Sequence, residues 1–379
     1  MTSLSHPLRD ARWAERAAIA AVFLQLGLFA GAWAAALPAI KAELALTDRQ
    51  ISLALLSFAG GSIASTVATG RLASRIGTRR ATRAGAVAVA LSLVFPAFAT
   101  SLGALCAAAT AMGAAMGLLD VAMNGHAGAL EERWGAPLMS SFHGAFSLGG
   151  LAGAALGGLL ATAGLGAAGQ IGIAALVSTA VGLAGLPFLG AGAAAAPAGG
   201  PLLALPGRHL LGLGTVAAFC FIVEGAMGDW SAIYLDTVAG SGIALAAIGY
   251  AGFSVAMAGV RFAGDRAVAA LGSRAILVGG GLLAGAGLLL AVAVPVPAVA
   301  AFGFGLVGLG LGNVAPVAFS AGARIGATVG YAGFLLGPPV IGLLSGLAGL
   351  RGALACLIVA TVVVALVGYR VVDGRRSRT

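Results

Sequence analysis

The chain has 379 residues, of which 60% are hydrophobic and only 9% charged, and its formal net charge is +9. A soluble domain carries about 25% charged residues, so a water-soluble globular protein is excluded. The arginines are scattered among short segments rather than clustered, which excludes nucleic-acid binding as the source of the basic balance.

The N-terminal stretch places Arg9, Arg12 and Arg16 ahead of an apolar run from Ala17 to Ile40. That run is long for the apolar core of a signal peptide, so it reads as a retained first helix. Further uncharged runs extend from Gln50 to Gly70, Ala84 to Leu119, Trp134 to Gly207, Thr237 to Val260, Ala275 to Ala323, Ile325 to Leu350 and Gly352 to Tyr369. A helix needs about 20 apolar residues to cross about 30 Å of hydrocarbon. The longest runs therefore hold two spans each, with breaks near Pro96 to Ser101, Ala163 to Gln170 and Pro295 to Pro297. Counting spans that carry Asp120 and Glu224 gives an all-α membrane protein of twelve transmembrane helices. The runs are continuous rather than alternating, which excludes strands.

Three segments follow: a six-helix bundle over residues 1–189, a linker rich in Ala, Gly and Pro over 190–207, and a second six-helix bundle over 208–379. With both termini cytoplasmic, all Lys and Arg except Lys41, Arg49 and Arg351 fall on the cytoplasmic side or within a turn of it, as the positive-inside bias requires. Most of the 62 glycines are expected at helix contacts. Cys106, Cys220 and Cys356 lie in apolar runs without metal-ligand spacing, and no metal or cofactor is expected.

The two halves repeat one another. Gly31-Ala32-Trp33 recurs as Gly228-Asp229-Trp230. Arg75-Ile76-Gly77-Thr78-Arg79 recurs, with an insertion, between Arg266 and Arg274. Gly117 to Ala122 recurs as Gly310 to Ala315, and the Gly149/Gly153 pair as Gly333/Gly337. Doubled bundles in membranes place their sites where the halves meet, which makes transport the first hypothesis.

The segment from Gly70 to Arg80 resembles the signature between helices 2 and 3 of the major facilitator superfamily, which reads Gly-x-Leu-Ala-Asp-Arg-x-Gly-Arg-Lys/Arg. Ser74 stands where the family has its acid, and the second half carries Arg261-Phe-Ala-Gly-Asp265-Arg266. Together with Asp120 to Asn124, Ser140 to Gly144, Gly228 to Trp230 and Gly333 to Pro338, the chain is similar to a little-characterised bacterial inner-membrane branch near the fucose-permease-like symporters. The resemblance implies a two-bundle carrier, and it implies gating roles for Arg71, Arg75, Arg79, Arg261, Asp265 and Arg266 at the cytoplasmic ends. With Ser74 in place of the acid, Asp265 becomes the main acid of that latch. Antiporters of the superfamily carry Gly-x-x-x-Gly-Pro-x-x-Gly-Gly in helix 5. Here Gly149, Gly153, Gly157 and Gly158 match without the proline, and helix contact is the competing reading.

A carboxylate at mid-bilayer costs about 2.5–3.5 kcal/mol, so intramembrane acids are functional candidates. Asp120, Glu224 and Asp229 are the acids, and His143 joins them as a proton-relay candidate. Asn124 shares a helix face with Asp120, and Ser140, His143 and Ser147 stripe the fifth span. Glu224 and Asp229 lie roughly 140° apart around their helix, so Glu224 is the cavity candidate and Asp229 the gate candidate. Gln25, Trp33, Asn124, Ser147, Trp230, Tyr234 and Asn313 are the groups able to bind a polar solute. Trp13 and Trp134 read as interface anchors.

These features point to a secondary carrier working by alternating access, coupled to protons, that symports a small polar solute as a monomer in the inner membrane. Proton-coupled export of drugs or amphipathic metabolites is the alternative. A membrane-embedded enzyme or sensor is disfavoured, because no nucleophile, phosphate loop or output domain is visible.

Overall fold

The structure, a computed structural model, describes the backbone of residues 6–46, 48–192, 208–241 and 243–373. Within these, the side chains of 6–10, 38, 48, 49, 52, 67, 208–210, 229, 232, 236, 243–250, 321–340, 342, 343, 372 and 373 lie outside the description, and so does most of the linker at 190–207. Among the described residues every regular element is helical. In chain order they are α1 (His6–Glu43), α2 (Asp48–Ile76), α3 (Thr78–Ser92), α4 (Leu102–Trp134), α5 (Met139–Thr162), α6 (Ala167–Gly185), α7 (Arg208–Thr237), α8 (Ile243–Ala293), α9 (Pro297–Leu311) and α10 (Val314–Asp373).

Ten helical segments among the described residues are long and apolar enough to cross a bilayer. Some elements hold more than one crossing. α8 has 51 residues, about 77 Å at 1.5 Å per residue, and it bends at Gly272, where φ is 79° and ψ 157°. α10 has 60 residues and turns at Gly349, with φ of 70°. The breaks fall where prolines and glycines end the apolar runs: a 3₁₀ turn at Phe95–Phe98, the loop around Gly164, and Val294 to Val296 ahead of α9.

The chain divides into two compact units. One comprises Met1–Trp134 and Ala145–Gly200, the other Gly135–Gly144 and Pro201–Thr379. The start of α5 thus belongs with the second unit.

Inside each unit the same scaffold is built in the same register. α2 begins at Asp48 and α8 at Ile243, α4 at Leu102 and α9 at Pro297, all with one offset. At that offset Gly77 (φ 81°, ψ 152°) corresponds to Gly272 (φ 79°, ψ 157°). This backbone region is essentially restricted to glycine, so both bends require the residue they have.

The packing repeats too. A Cβ on Gly113 would overlap the carbonyl oxygen of Phe58, and a Cβ on Gly308 would overlap that of Phe253. Gly117 abuts Ser62, and Gly312 abuts Met257. These pairs fix the register at Gly117 with Gly312, two residues from the sequence match of Gly117 with Gly310. They also leave no insertion between α2 and the bend. Asp265 consequently corresponds to Gly70, and the counterpart of Ser74 is Ala269. The Gly333/Gly337 pair lies outside the described residues.

In the first unit Gly149 and Gly153 of α5 face backbone atoms of α1 at Leu24 and Leu28, and Gly157 faces Ala35. Three glycines of the fifth-span series therefore make a close helix contact of the kind small residues make in lipid, while Gly158 faces open space.

Charges at helix ends act as caps. Glu43 accepts the Ala167 amide at the start of α6 at 2.6 Å. Arg351 donates to the carbonyls of Val292 and Ala293 at the end of α8 at 2.8 and 3.3 Å. Both placements complement the helix dipole. At the opposite end of the first unit, Glu15 is buried against Arg133 at 2.6 Å, with His126 at 3.5 Å, and Trp13 meets Trp134 edge-on at 5.1 Å.

Alanine at Gly113 or at Gly308 will force its helix pair apart and destabilise the protein by roughly 1–3 kcal/mol each. Gly60→Ala, on the same α2 but facing open space, will not. Thermal unfolding of the three variants in one detergent checks this, and a Gly60 effect as large as the others would refute the shared contact.

Candidate functional site

The second unit holds a buried polar cluster whose origin is a proline. α9 ends at Leu311 and α10 starts at Val314, so Gly312 and Asn313 form a break inside an apolar span. In a continued helix the Gly312 carbonyl would accept the amide four residues on, but that residue is Pro316, which has no N–H. Arg261 of α8 supplies the missing donor: its Nε reaches the Gly312 carbonyl oxygen at 3.0 Å. Asn313 answers in the other direction, its Nδ2 donating to the Val260 carbonyl at 3.0 Å. Two reciprocal side-chain bonds thus stitch α8 to the break.

Drawing Arg261 inward buries a charge, since the residue is 3% exposed. Glu224 of α7 lies opposite. The second guanidinium nitrogen stands 3.3 and 3.5 Å from the two carboxylate oxygens. The side chains are 4% exposed for Arg261 and 19% for Glu224, so the acid is the more accessible member of the pair.

Around this pair the described neighbours are mostly apolar or neutral. His143 stacks on Phe319 at 5.5 Å, and Phe221, one turn before Glu224, leans on the same ring at 6.0 Å. Cys220 is buried, with its thiol 3.9 Å from the Leu311 carbonyl oxygen. One turn beyond Arg261, Asp265 accepts the Ser141 amide at 3.2 Å. Ser141 is the third residue of α5, so Asp265 satisfies one of the amides that a helix start leaves without an internal partner. Close by, Gly264 lies against Ser140 and Asn313, and Phe262 against Gly144.

The remaining candidates distribute as follows. Asp120 and Asn124 are buried in α4 of the first unit, where Asn124 Nδ2 donates to the Asp120 carbonyl oxygen at 2.9 Å and to its carboxylate at 3.2 Å. Gln25 donates to the Ala86 carbonyl at 2.9 Å and ties α1 to α3. Trp33 stacks on Phe58 at 6.3 Å with the rings nearly parallel. Ser147 is half-buried in the first unit's part of α5. Tyr234 donates to the Ala291 carbonyl at 2.9 Å and meets Phe304 edge-on. Trp230 is half-buried on α7, and the side chain of Asp229 lies outside the described residues. Arg71, Arg75 and Arg266 are exposed, and Arg79 is half-buried. The structure thus brings Glu224, Arg261, Asn313, His143 and Asp265 together within the second unit. Sequence reasoning did not find the partnership of Arg261 with Glu224. Its signal was Pro316 placed four residues after Gly312 inside an apolar run.

A protein with repeated helical bundles and a buried ion pair in an apolar span belongs to the class of membrane carriers, and the comparisons name the family. A profile of the Major Facilitator Superfamily matches residues 18–326. An uncharacterized MFS-type transporter of Yersinia pestis is 34% identical over 351 residues, covering 88% of this chain and 90% of the relative. The fold is similar to the E. coli fucose:proton symporter FucP, with a TM-score of 0.75 and 16% identity over 94% of this chain and 98% of that one. In its outward conformation, FucP gives a TM-score of 0.77. The human organic anion transporter MFSD10 also gives 0.77, at 19% identity over 93% of this chain and 99% of that one. The chain belongs to the Major Facilitator Superfamily. It is a multi-pass membrane transporter with the twelve-helix fold of that family, and not an enzyme.

A hydrogen bond to a charged acceptor contributes about 1.5–3 kcal/mol, and Asp265 provides one to the start of α5. Asp265→Ala will therefore speed hydrogen exchange of the Ser141 amide by about tenfold or more, while leaving amides in the middle of α5 unchanged. Unaltered exchange at Ser141 in a folded variant would remove Asp265 as the cap.

Proposed function

We propose that this transporter moves a small polar solute together with protons, by alternating access, across a bacterial inner membrane in which both termini face the cytoplasm. It would act as a monomer, with two six-helix bundles over residues 1–189 and 208–379 as its moving parts. The observation that carries the coupling is the Glu224–Arg261 pair, 3.3 Å apart inside apolar helices. A carboxylate in such a position is tied to the guanidinium as an anion and released from it when protonated. Taking up a proton cancels its attraction to the guanidinium, and losing it restores the pair. Proton occupancy is thereby linked to the position of α7 against α8, which is what a coupled carrier requires. Asp120, buried with Asn124 in α4, is a second carboxylate able to carry the proton. Of the proteins with a similar fold, FucP is a fucose:proton symporter, which agrees with this reading.

Export by proton exchange is the other reading of this fold. Its motivation was the glycine series of α5, and the contact of Gly149, Gly153 and Gly157 with α1 accounts for those three without any role in direction. Import is preferred for that reason. For gating, Asp265 accepts the Ser141 amide at the start of α5, and Arg71, Arg75, Arg79, Arg261 and Arg266 remain the basic gating candidates.

The test uses proteoliposomes and the solute that most raises the melting temperature in a screen of sugars, acids and cationic drugs. Glu224→Gln should abolish uptake driven by a pH gradient while leaving exchange between equal pools intact, because exchange needs no net proton step. Loss of gradient-driven uptake in Asp120→Asn instead would move the carrier to α4. Full gradient-driven uptake in both variants would defeat proton coupling through either acid.

A further inference from the structure

We infer that the solute is a small monoanion, such as a carboxylate, bound at Arg261 in exchange for the carboxylate of Glu224 and carried electroneutrally with one proton. This rests on the proton-coupled reading above and names its substrate class.

The first ground is how the guanidinium is held. Its Nε is pinned at 3.0 Å to a carbonyl that Pro316 leaves without a helical donor. That bond is independent of Glu224, so the acid can leave without releasing the arginine. The contact to Glu224 itself is long on both oxygens, at 3.3 and 3.5 Å. Glu224 is also the more exposed member, with 19% of its side chain exposed against 4% for Arg261. A solute therefore meets the acid first and the guanidinium behind it. A guanidinium fork fits a carboxylate in-plane through two parallel N–H groups, so a solute carboxylate can take over the bond that Glu224 gives up.

Charge balance is the second ground. Protonating Glu224 raises the charge of the cluster by one, whatever else surrounds the guanidinium. A neutral solute leaves that surplus charge inside apolar helices, where it is disfavoured. A solute bearing one negative charge restores the original balance, so proton and anion load as a neutral set. Among the described residues, the titratable and charged groups around the pair include Cys220 on α7, His143 from α5, and Asp265 one turn along α8, whose carboxylate accepts the Ser141 amide. Asn313 at the break is neutral. Phe221, half-buried one turn before Glu224 and backed by the buried ring of Phe319, supplies an apolar ring for the body of the solute.

Propionate, with propionamide as its neutral counterpart, probes the site in purified protein. Glu224→Ala removes the resident carboxylate and opens space in front of Arg261. Propionate should restore the melting temperature of this variant, and propionamide should not. In the wild-type protein, affinity for propionate measured by titration calorimetry should strengthen as the pH is lowered, by up to about tenfold per pH unit, since each anion brings one proton. Glu224→Gln, which keeps the volume, should bind propionate with no such pH dependence, and it carries the test if Glu224→Ala does not fold. No rescue by propionate together with no binding to Glu224→Gln overturns the inference. An equal response to propionamide, or rescue that persists when Arg261→Gln is added, overturns it as well. Rescue with a flat wild-type pH response would keep the anion site and defeat Glu224 as the proton carrier. Gradient-driven uptake of a neutral solute, lost in Glu224→Gln, would do the reverse.

Discussion

In hydrocarbon every backbone polar group must find a partner within the protein, and one carbonyl that cannot find its own organises the second unit. Pro316 denies Gly312 its helical donor, and Arg261 replaces it. A guanidinium drawn into apolar helices then calls for an acid, and Glu224 stands opposite. The break that freed the carbonyl also frees Asn313, whose amide returns to α8 at Val260. The same constraint explains charges that look misplaced by topology. Arg351, an exception to the positive-inside pattern, closes the carbonyl end of α8, and Glu43 closes the amide end of α6. Those two cap helix ends, whereas the Arg261–Glu224 pair lies within helices, away from their ends, and its acid is the more exposed member.

The architecture was legible because lipid imposes length. Uncharged runs of about 20 residues could only be helices, and their breaks fell at Pro96, Gly164 and Pro295 because those residues end helices in any solvent. That the halves repeat was legible as well, but their register was not. Glycine is so frequent here that Gly117 can be matched to Gly310 or to Gly312 with equal ease. Only the carbonyls that the glycines touch, at Phe58 and Ser62 in one unit and Phe253 and Met257 in the other, settle the choice. With that register Asp265 pairs with Gly70, so it is not the acid missing at Ser74. Its work at the start of α5 is particular to the second half of the chain.

For the site, residue type was readable and direction was not. Glu224 stood out because an acid in an apolar run is expensive. Arg261 stood out only as a gating residue at a cytoplasmic end, because it follows directly on the uncharged run ending at Val260. A long side chain can turn either outward to water or inward along its helix, and sequence does not say which. Gln25, Trp33 and Tyr234 show the same ambiguity: each is polar enough to bind a solute, yet each spends its polar or aromatic group on a neighbouring helix. Asp120 and Asn124 were expected on one face of α4, and a direct hydrogen bond joins them.

The common register also shows why only one half carries the guanidinium. The counterpart of Arg261 is Thr66, buried against Gly117, and the counterpart of Pro316 is Val121. Val121 has an amide, so Gly117 can keep its helical bond and α4 runs unbroken from Leu102 to Trp134. With no carbonyl left over, the first unit has nothing for an arginine to satisfy, and a small hydroxyl fills the position. A proline in one copy of the repeat therefore separates two otherwise matched halves into a continuous scaffold and a broken one. The broken copy carries an orphan acceptor, the arginine it requires, and the acid that the arginine requires in turn. The doubled scaffold supplies the packing, and the departure from symmetry supplies the chemistry.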